Sequence, residues 1–244
     1  RRMAIKKAFV DRNYDSIFTD PQNLPVYSAK YAPSRALGFF TLLRNTDIIS
    51  LALKEAEGRV LGLGAGAGSE LVAFAALAAV SSPASVQCEL VDFGEYGDIL
   101  KLLDDSVRYK WHLDTSQFTM NFHQCDILNE SNAPLLAQLI ASTNFITAFF
   151  VLNELFVDKK RTMQVITLLV KNMKPGCHLL IVDSAGSFSN LEVGGRTYPV
   201  YTMFDAMKTH FELVGGSESQ WYRYPAHLQY PLDLENMRYF YRLY

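Results

Sequence analysis

Arg59 to Ala73 reads RVLGLGAGAGSELVA, an apolar run that breaks into alternating glycines and resumes with small and apolar residues. The pattern spells strand, tight turn, helix. Gly64, Gly66 and Gly68 stand where the backbone has to take positive φ or pass close to a ligand. The helix that follows offers that ligand its free N–H groups. In the dinucleotide fingerprint G-x-G-x-x-G the third glycine lies further from the second than Gly68 lies from Gly66. The order here is G-x-G-x-G, which departs from that fingerprint.

Downstream, strands and helices alternate. Ser69 to Ala79 is Ala- and Leu-rich and helical, and Ser81-Ser82-Pro83 stops it. Val86 to Val91 is the next strand and ends at Asp92, where a carboxylate can accept both hydroxyls of a ribose; a helix-capping role is the alternative. Tyr96 to Trp111 has helical spacing, Thr119 to Gln124 is a short strand, and Pro134 to Ser142 is a helix with an apolar stripe. Asn144 to Leu152, NFITAFFVL, is nearly continuous apolar sequence, as a central parallel strand should be, and it runs into Asn153-Glu154-Leu155-Phe156. Lys159 to Met173 is helical, and Lys174-Pro175-Gly176 turns the chain into a strand from His178 to Val182. Such alternation predicts a mostly parallel sheet with its ligands beyond the carboxyl ends of the strands.

Upstream, Arg1 to Arg12 reads as an amphipathic helix with one basic face, and the prolines at 21, 25 and 33 suggest an ordered but irregular stretch from Thr19 to Pro33. Ser34 can cap a helix over residues 35–43, and a second helix covers Asp47 to Glu57 with Gly58 as its stop. The expected organisation is an N-terminal helical extension, 1–58, on a domain of residues 59–244, compact as a whole. Ser184 to Tyr201 is a long polar loop suited to a lid or specificity role. Asp205 to His210 reads as helix, Phe211 to Val214 as strand, and Trp221 to Tyr224 as the strand beside it. The tail from Leu232 to Tyr244 interleaves aromatic and basic residues, as a stacking platform or as a final helix packed on the sheet.

A formal net charge of −2 over 244 residues argues against holding nucleic acid by bulk electrostatics, so any nucleic-acid contact has to come from local patches. Candidates are Arg1 to Arg12, Lys159-Lys160-Arg161 and the tail, each of which can equally be a solvated face or a packed one. Cys88, Cys125 and Cys177 show no metal-ligand spacing and read as core thiols of a reducing compartment. No metal is expected. No apolar run reaches membrane-spanning length, so no membrane partner is expected and the chain reads as soluble. It opens on Arg1 rather than Met, which leaves room for a preceding segment carrying charge or targeting information.

The glycine turn resembles motif I of class I S-adenosylmethionine (SAM)-dependent methyltransferases, and the K-P-G turn with its L-L-I-V-D strand resembles the corresponding element of that class. The resemblance covers residues 59–183 and implies a Rossmann-like α/β fold: a seven-stranded, mostly parallel sheet with helices on both faces, and SAM as cofactor. It implies that Gly64, Ala65 and Gly66 line the methionine side, that Asp92 and Phe93 hold the ribose end, and that Asp126 and Ile127 flank the adenine, with an ordinary turn aspartate as the alternative for Asp126. A side chain on Gly66 would then occupy the space of the methionine moiety. The class often carries an acid where this chain has Gly62, so Glu70, or Arg35 or Tyr31, has to supply part of the amino-acid recognition. Asn153-Glu154-Leu155-Phe156 stands where amino methyltransferases keep an Asn/Asp-Pro-Pro-Tyr/Phe signature, without the prolines. Asn153 would bond the acceptor and also border the cofactor, Phe156 would stack on a planar base, and Glu154 would act as general base or hold Asn153; core packing of Phe156 and helix capping by Glu154 are the alternatives.

With Tyr31-Ala32-Pro33-Ser34-Arg35-Ala36 and Val91-Asp92-Phe93-Gly94 added, the set is similar to the fungal large-subunit (25S) rRNA uridine-N(3) methyltransferase family. That resemblance implies rRNA as substrate, a role in ribosome biogenesis and a nuclear, nucleolar or cytoplasmic location. Two other functions stay open at this level: a methyltransferase for a protein or small molecule, and a binding or assembly module without catalysis.

Overall fold

The computed structural model describes residues 2–11, 13–80, 85–186, 190–193 and 195–244. Helices α1 (Arg2–Val10), α2 (Asp15–Phe18), α3 (Leu24–Asn45) and α4 (Asp47–Glu55) precede strand β1 (Arg59–Leu63). Then α5 (Ser69–Val80), β2 (Val86–Asp92), α6 (Gly97–Trp111), β3 (Phe118–Gln124), α7 (Ala133–Ser142) and β4 (Phe145–Phe149) alternate. The short α8 (Leu152–Leu155), α9 (Lys159–Asn172) and β5 (His178–Ser184) follow, then a hairpin of β6 (Asn190–Val193) and β7 (Arg196–Pro199), helix α10 (Thr202–Ala206), β8 (Gly215–Tyr222) and β9 (Met237–Leu243).

The main sheet has seven strands in the order β3-β2-β1-β4-β5-β9-β8. Strands β1 to β5 pair in parallel, and β9 lies antiparallel between β5 and β8. Successive residues of a strand face opposite sides, so each central strand feeds two cores. In β5, Leu180 and Val182 join the core under α3 to α6, while Leu179 and Ile181 join the core under α7 to α10. The expected Rossmann-like architecture, with helices on both faces and helices ahead of β1, is the one observed.

Several local expectations need correction. The segment from Thr19 to Pro33 is irregular only as far as Asn23: α3 starts at Leu24, with Pro25 in its first turn, and continues through Pro33 and Ser34. Pro33 cannot donate to the carbonyl of Ala29, four residues back. The hydroxyl of Tyr230 donates to that carbonyl instead, over 2.9 Å. A tertiary contact thus repairs the helix where local sequence breaks it. Phe211 to Val214 is not a strand; the strand begins at Gly215 and carries the polar run GGSESQWY as a sheet edge. The tail is a strand, neither final helix nor exposed platform, and Tyr239, Phe240, Tyr241 and Tyr244 are buried. Cys177 is half-buried, unlike the buried Cys88 and Cys125. The helix stop at Ser81 to Pro83, and Arg1 and Arg12 of the basic segment, lie outside the described residues. No single described helix is long and apolar enough to cross a membrane.

Candidate active site

The carboxyl ends of β1, β2 and β4 open into a cavity of about 420 Å³ roofed by the N-terminal helices. Its floor is the glycine turn. Gly64 (φ +70°) and Gly68 (φ +89°) take the left-handed conformation that favours glycine. A Cβ on Gly64 would stand 2.4 Å from Val151 Cγ2, so the turn can lie against the end of β4 only without a side chain there. The N–H of Gly66 donates to Asp92 Oδ2 at 2.9 Å, and the N–H of Gly94 donates to Asp92 Oδ1 at the same distance. Asp92 therefore ties the turn to the tip of β2, and each oxygen keeps a lone pair for a ligand. Burial pushes its carboxyl up to about 6 against the pull of those N–H groups.

Of the residues expected at the cofactor, Gly64, Asp92, Phe93, Asp126 and Ile127 line the cavity. Ala65 is buried beneath the turn, and Gly66 offers its N–H to Asp92 rather than a face to the cavity. At Gly66 the protein itself already requires glycine: a Cβ there would stand 2.2 Å from Tyr96 Cδ2 and 2.7 Å from Asp92 Cγ. Gly62 has a similar origin, since a Cβ on it would stand 2.8 Å from the Cβ of Ala65. Asp126 accepts the N–H of Leu128 at 2.9 Å, an Asx turn that sets the wall beside Ile127.

The residues Asn153 to Phe156 divide. Glu154 faces the cavity, half-buried. Asn153 turns to the end of β5, where Nδ2 donates to Asp183 Oδ1 at 2.7 Å. Phe156, 9% exposed, packs in the core under α7 to α10 with Leu152 and Leu155. The turn of α8 separates them: a stacking face for Phe156 and a cavity-lining amide for Asn153 are not what the fold provides.

Of the roof residues, sequence reasoning named Arg35 and passed over Tyr14, Phe18 and Tyr27. Tyr14, Phe18, Tyr27 and Arg35 line the cavity. Phe18 meets Tyr27 edge-on at 5.1 Å and Phe93 at 5.8 Å. Arg35 Nη1 donates to the Tyr27 hydroxyl at 2.7 Å, and its guanidinium lies 4.7 Å from the ring centre of Phe150 and 5.2 Å from that of Tyr31. Phe150 takes φ +53°, strained for a residue with a side chain, and so turns its ring to the cavity immediately after β4. The spacing of Tyr27, Tyr31 and Arg35 on one helical face was the available signal.

Charge is concentrated here. Burial and the neighbouring Asp92 hold the Glu154 carboxyl well above the usual range, with Arg35 pulling it back. Glu70, in the first turn of α5 and 3% exposed, is pushed up to about 8 by burial, and its Oε1 has no hydrogen-bond partner among the described residues. At the mouth, Arg161 pairs with Asp158 at 3.5 Å, while Lys159 and Lys160 are exposed. Of the tail's cations, Arg242 is buried, 3.8 Å over the Tyr201 ring and paired with Asp205, whereas Arg238 is exposed. Among the described residues no three His, Cys, Asp or Glu side chains gather as a metal site. Buried carboxyls around one guanidinium, one of them with an orphaned oxygen, fit a ligand that is itself cationic and carries an amino-acid end, as SAM does.

Residues 3–244 match the model of a family described as "Putative SAM-dependent methyltransferase". The chain is 29% identical over 278 residues to the 25S rRNA (uridine(2843)-N(3))-methyltransferase of Saccharomyces cerevisiae, covering 99% of this chain and 76% of that one. Among solved structures it is similar to the N-methyltransferase NodS from Bradyrhizobium japonicum, with 16% identity, a TM-score of 0.47 and coverage of 84% of this chain and 94% of that one. It is also similar to a SAM-dependent methyltransferase from Aquifex aeolicus, with 13% identity, a TM-score of 0.48 and coverage of 92% and 98%.

Proposed function

The chain belongs to this family of SAM-dependent methyltransferases, and from that premise we propose that it methylates N3 of a uridine in large-subunit ribosomal RNA. The observation that carries the reading is the similarity along 99% of the chain to an enzyme with that activity. The chemistry of the cavity is in keeping with it. SAM supplies a methyl group on a sulfonium, activated for in-line displacement. The imide N–H of uridine is a weak acid, so its proton needs a base of matched strength. Glu154 is the group in position: burial and Asp92 raise its proton affinity, and Arg35 keeps the ionised form within reach. Glu154 would take the N3 proton as that nitrogen accepts the methyl group, so that the acceptor gains a methyl and loses a proton.

In this reading Asp92, Phe93, Asp126 and Ile127 hold the adenosine end of SAM, with Gly64 allowing close approach. Asn153 acts as a positioning residue, fixed through Asp183 so that α8 presents Glu154. A uridine inside structured RNA has to be splayed out before it reaches such a cavity, and aromatic faces hold it there. Phe150 offers one. Lys159, Lys160 and Arg161 border the mouth and suit phosphate contact. An rRNA acceptor implies an intracellular site of action, in the nucleus or nucleolus during ribosome assembly or in the cytoplasm after it. A net charge of −2 favours a second reading, a protein or small-molecule acceptor. Incubation with radiolabelled SAM and rRNA from cells lacking the protein separates them: label in the rRNA supports the uridine reading, and label confined to protein or metabolite fractions refutes it.

A further inference from the structure

Among the described residues, seven charged side chains face the cavity: Arg35, Glu70, Asp92, Asp126, Glu154, Asp158 and Arg161. Most have a visible occupation. Asp92 accepts two main-chain N–H groups, Asp126 closes an Asx turn, and Asp158 pairs with Arg161 at the mouth. Glu154 stands at the end of β4, where the acceptor is proposed to react. Glu70 differs. It is 3% exposed, and its Oε1 is buried with no partner among the described residues. A buried carboxyl oxygen left unpaired is destabilising, so a ligand cation that reaches it gains a strong, desolvated contact. Arg35 presents the complementary half. A guanidinium has five donors, and the Tyr27 hydroxyl takes one, while Phe150 under its face fixes its plane for a fork-like contact. Arg35's charge reaches Glu70 and favours its ionised form.

We infer that Glu70 and Arg35 together receive the zwitterionic amino-acid end of the cofactor, Glu70 accepting from its α-ammonium and Arg35 donating to its α-carboxylate. The pair is split between α5, behind the glycine turn, and α3, in the N-terminal extension. The roof is thereby part of the cofactor site, and cofactor binding ties the extension to the sheet. The inference rests on SAM as cofactor and is independent of the acceptor.

Calorimetric titration with two ligands tests it: S-adenosylhomocysteine, which carries the amino-acid end, and 5′-methylthioadenosine, which lacks it. The wild-type protein should bind the first at least about tenfold more tightly. Glu70→Gln should lose about tenfold or more on S-adenosylhomocysteine and stay within about twofold on 5′-methylthioadenosine. Parallel loss on both ligands, or no loss on either, overturns the assignment. Should Glu70→Gln fail to fold, the wild-type protein is titrated with the S-adenosylhomocysteine analogue in which hydrogen replaces the α-amino group. A loss of about tenfold supports the assignment and equal affinity refutes it. Wild-type protein that binds 5′-methylthioadenosine without discrimination sinks this inference alone; wild-type protein that binds neither ligand sinks the cofactor site itself.

Discussion

Asn153 Nδ2 donates to Asp183 Oδ1 at 2.7 Å, joining the helical turn after β4 to the tip of β5. Asp183 is fully buried and also accepts the N–H of Ser184. The bond fixes how α8 leaves the sheet, and so where Glu154 points. Asn153→Ala should destabilise the protein by about 1–3 kcal/mol, the cost of removing one partner from a buried polar pair. Turnover should fall about tenfold or more through Glu154, while the Kd for SAM changes less than about threefold. Loss of cofactor affinity equal to the loss in turnover would mean instead that Asn153 contacts the cofactor.

Glu154→Gln removes the proposed base and keeps its shape. Turnover should drop by about 10²- to 10⁴-fold, with SAM affinity nearly unchanged. Because burial and Asp92 oppose its ionised form, the neutral replacement should leave the melting temperature unchanged or raise it above neutral pH. A lower melting temperature with unaltered turnover would mark Glu154 as a helix cap.

Gly66→Ala should destabilise the fold by about 1–3 kcal/mol, because the new methyl group has to displace Tyr96 or Asp92. SAM affinity should fall with it, through the displacement of Asp92 from the turn. Full retention of stability would mean that Tyr96 yields freely, and the account of this turn would be wrong.

The buried carboxyls set a pH dependence. Asp92 is raised from 3.8 to about 6 and Glu70 from 4.5 to about 8 by burial. In that range the folded state holds more protons than the unfolded chain, so the unfolding free energy falls as pH rises. The contribution is complete below the ordinary carboxyl values and is lost as pH climbs through about 6 and then about 8. The ligand-free protein should therefore melt at a higher temperature near about pH 5.5 than near about pH 8.5, and saturating SAM, a net cation, should narrow the difference. A melting temperature that rises steadily over this interval would contradict the burial of these groups.

Much of this could be read from residues alone. The turn from Gly64 to Gly68 and the strand end at Asp92 were legible because backbone sterics leave few alternatives to glycine there, and β4 was legible because a strand buried on both faces is apolar throughout. The roof was not. Pro25 and Pro33 read as local breaks, yet Pro25 falls in the first turn of α3, and Tyr230, about two hundred residues away, takes the carbonyl that Pro33 leaves free in the helix carrying Tyr27 and Arg35. Only the end of β8, at Trp221 and Tyr222, was read as strand, because an edge strand facing water keeps a polar sequence. Asn153 and Phe156 left the cavity because one helical turn sends adjacent residues to different faces, which spacing after a strand does not reveal.

The central claim is tested most directly by mass spectrometry of large-subunit rRNA nucleosides from cells with and without the protein. N3-methyluridine should diminish in its absence and return with the wild-type chain but not with Glu154→Gln. An N3-methyluridine content that is the same with and without the protein would contradict the claim.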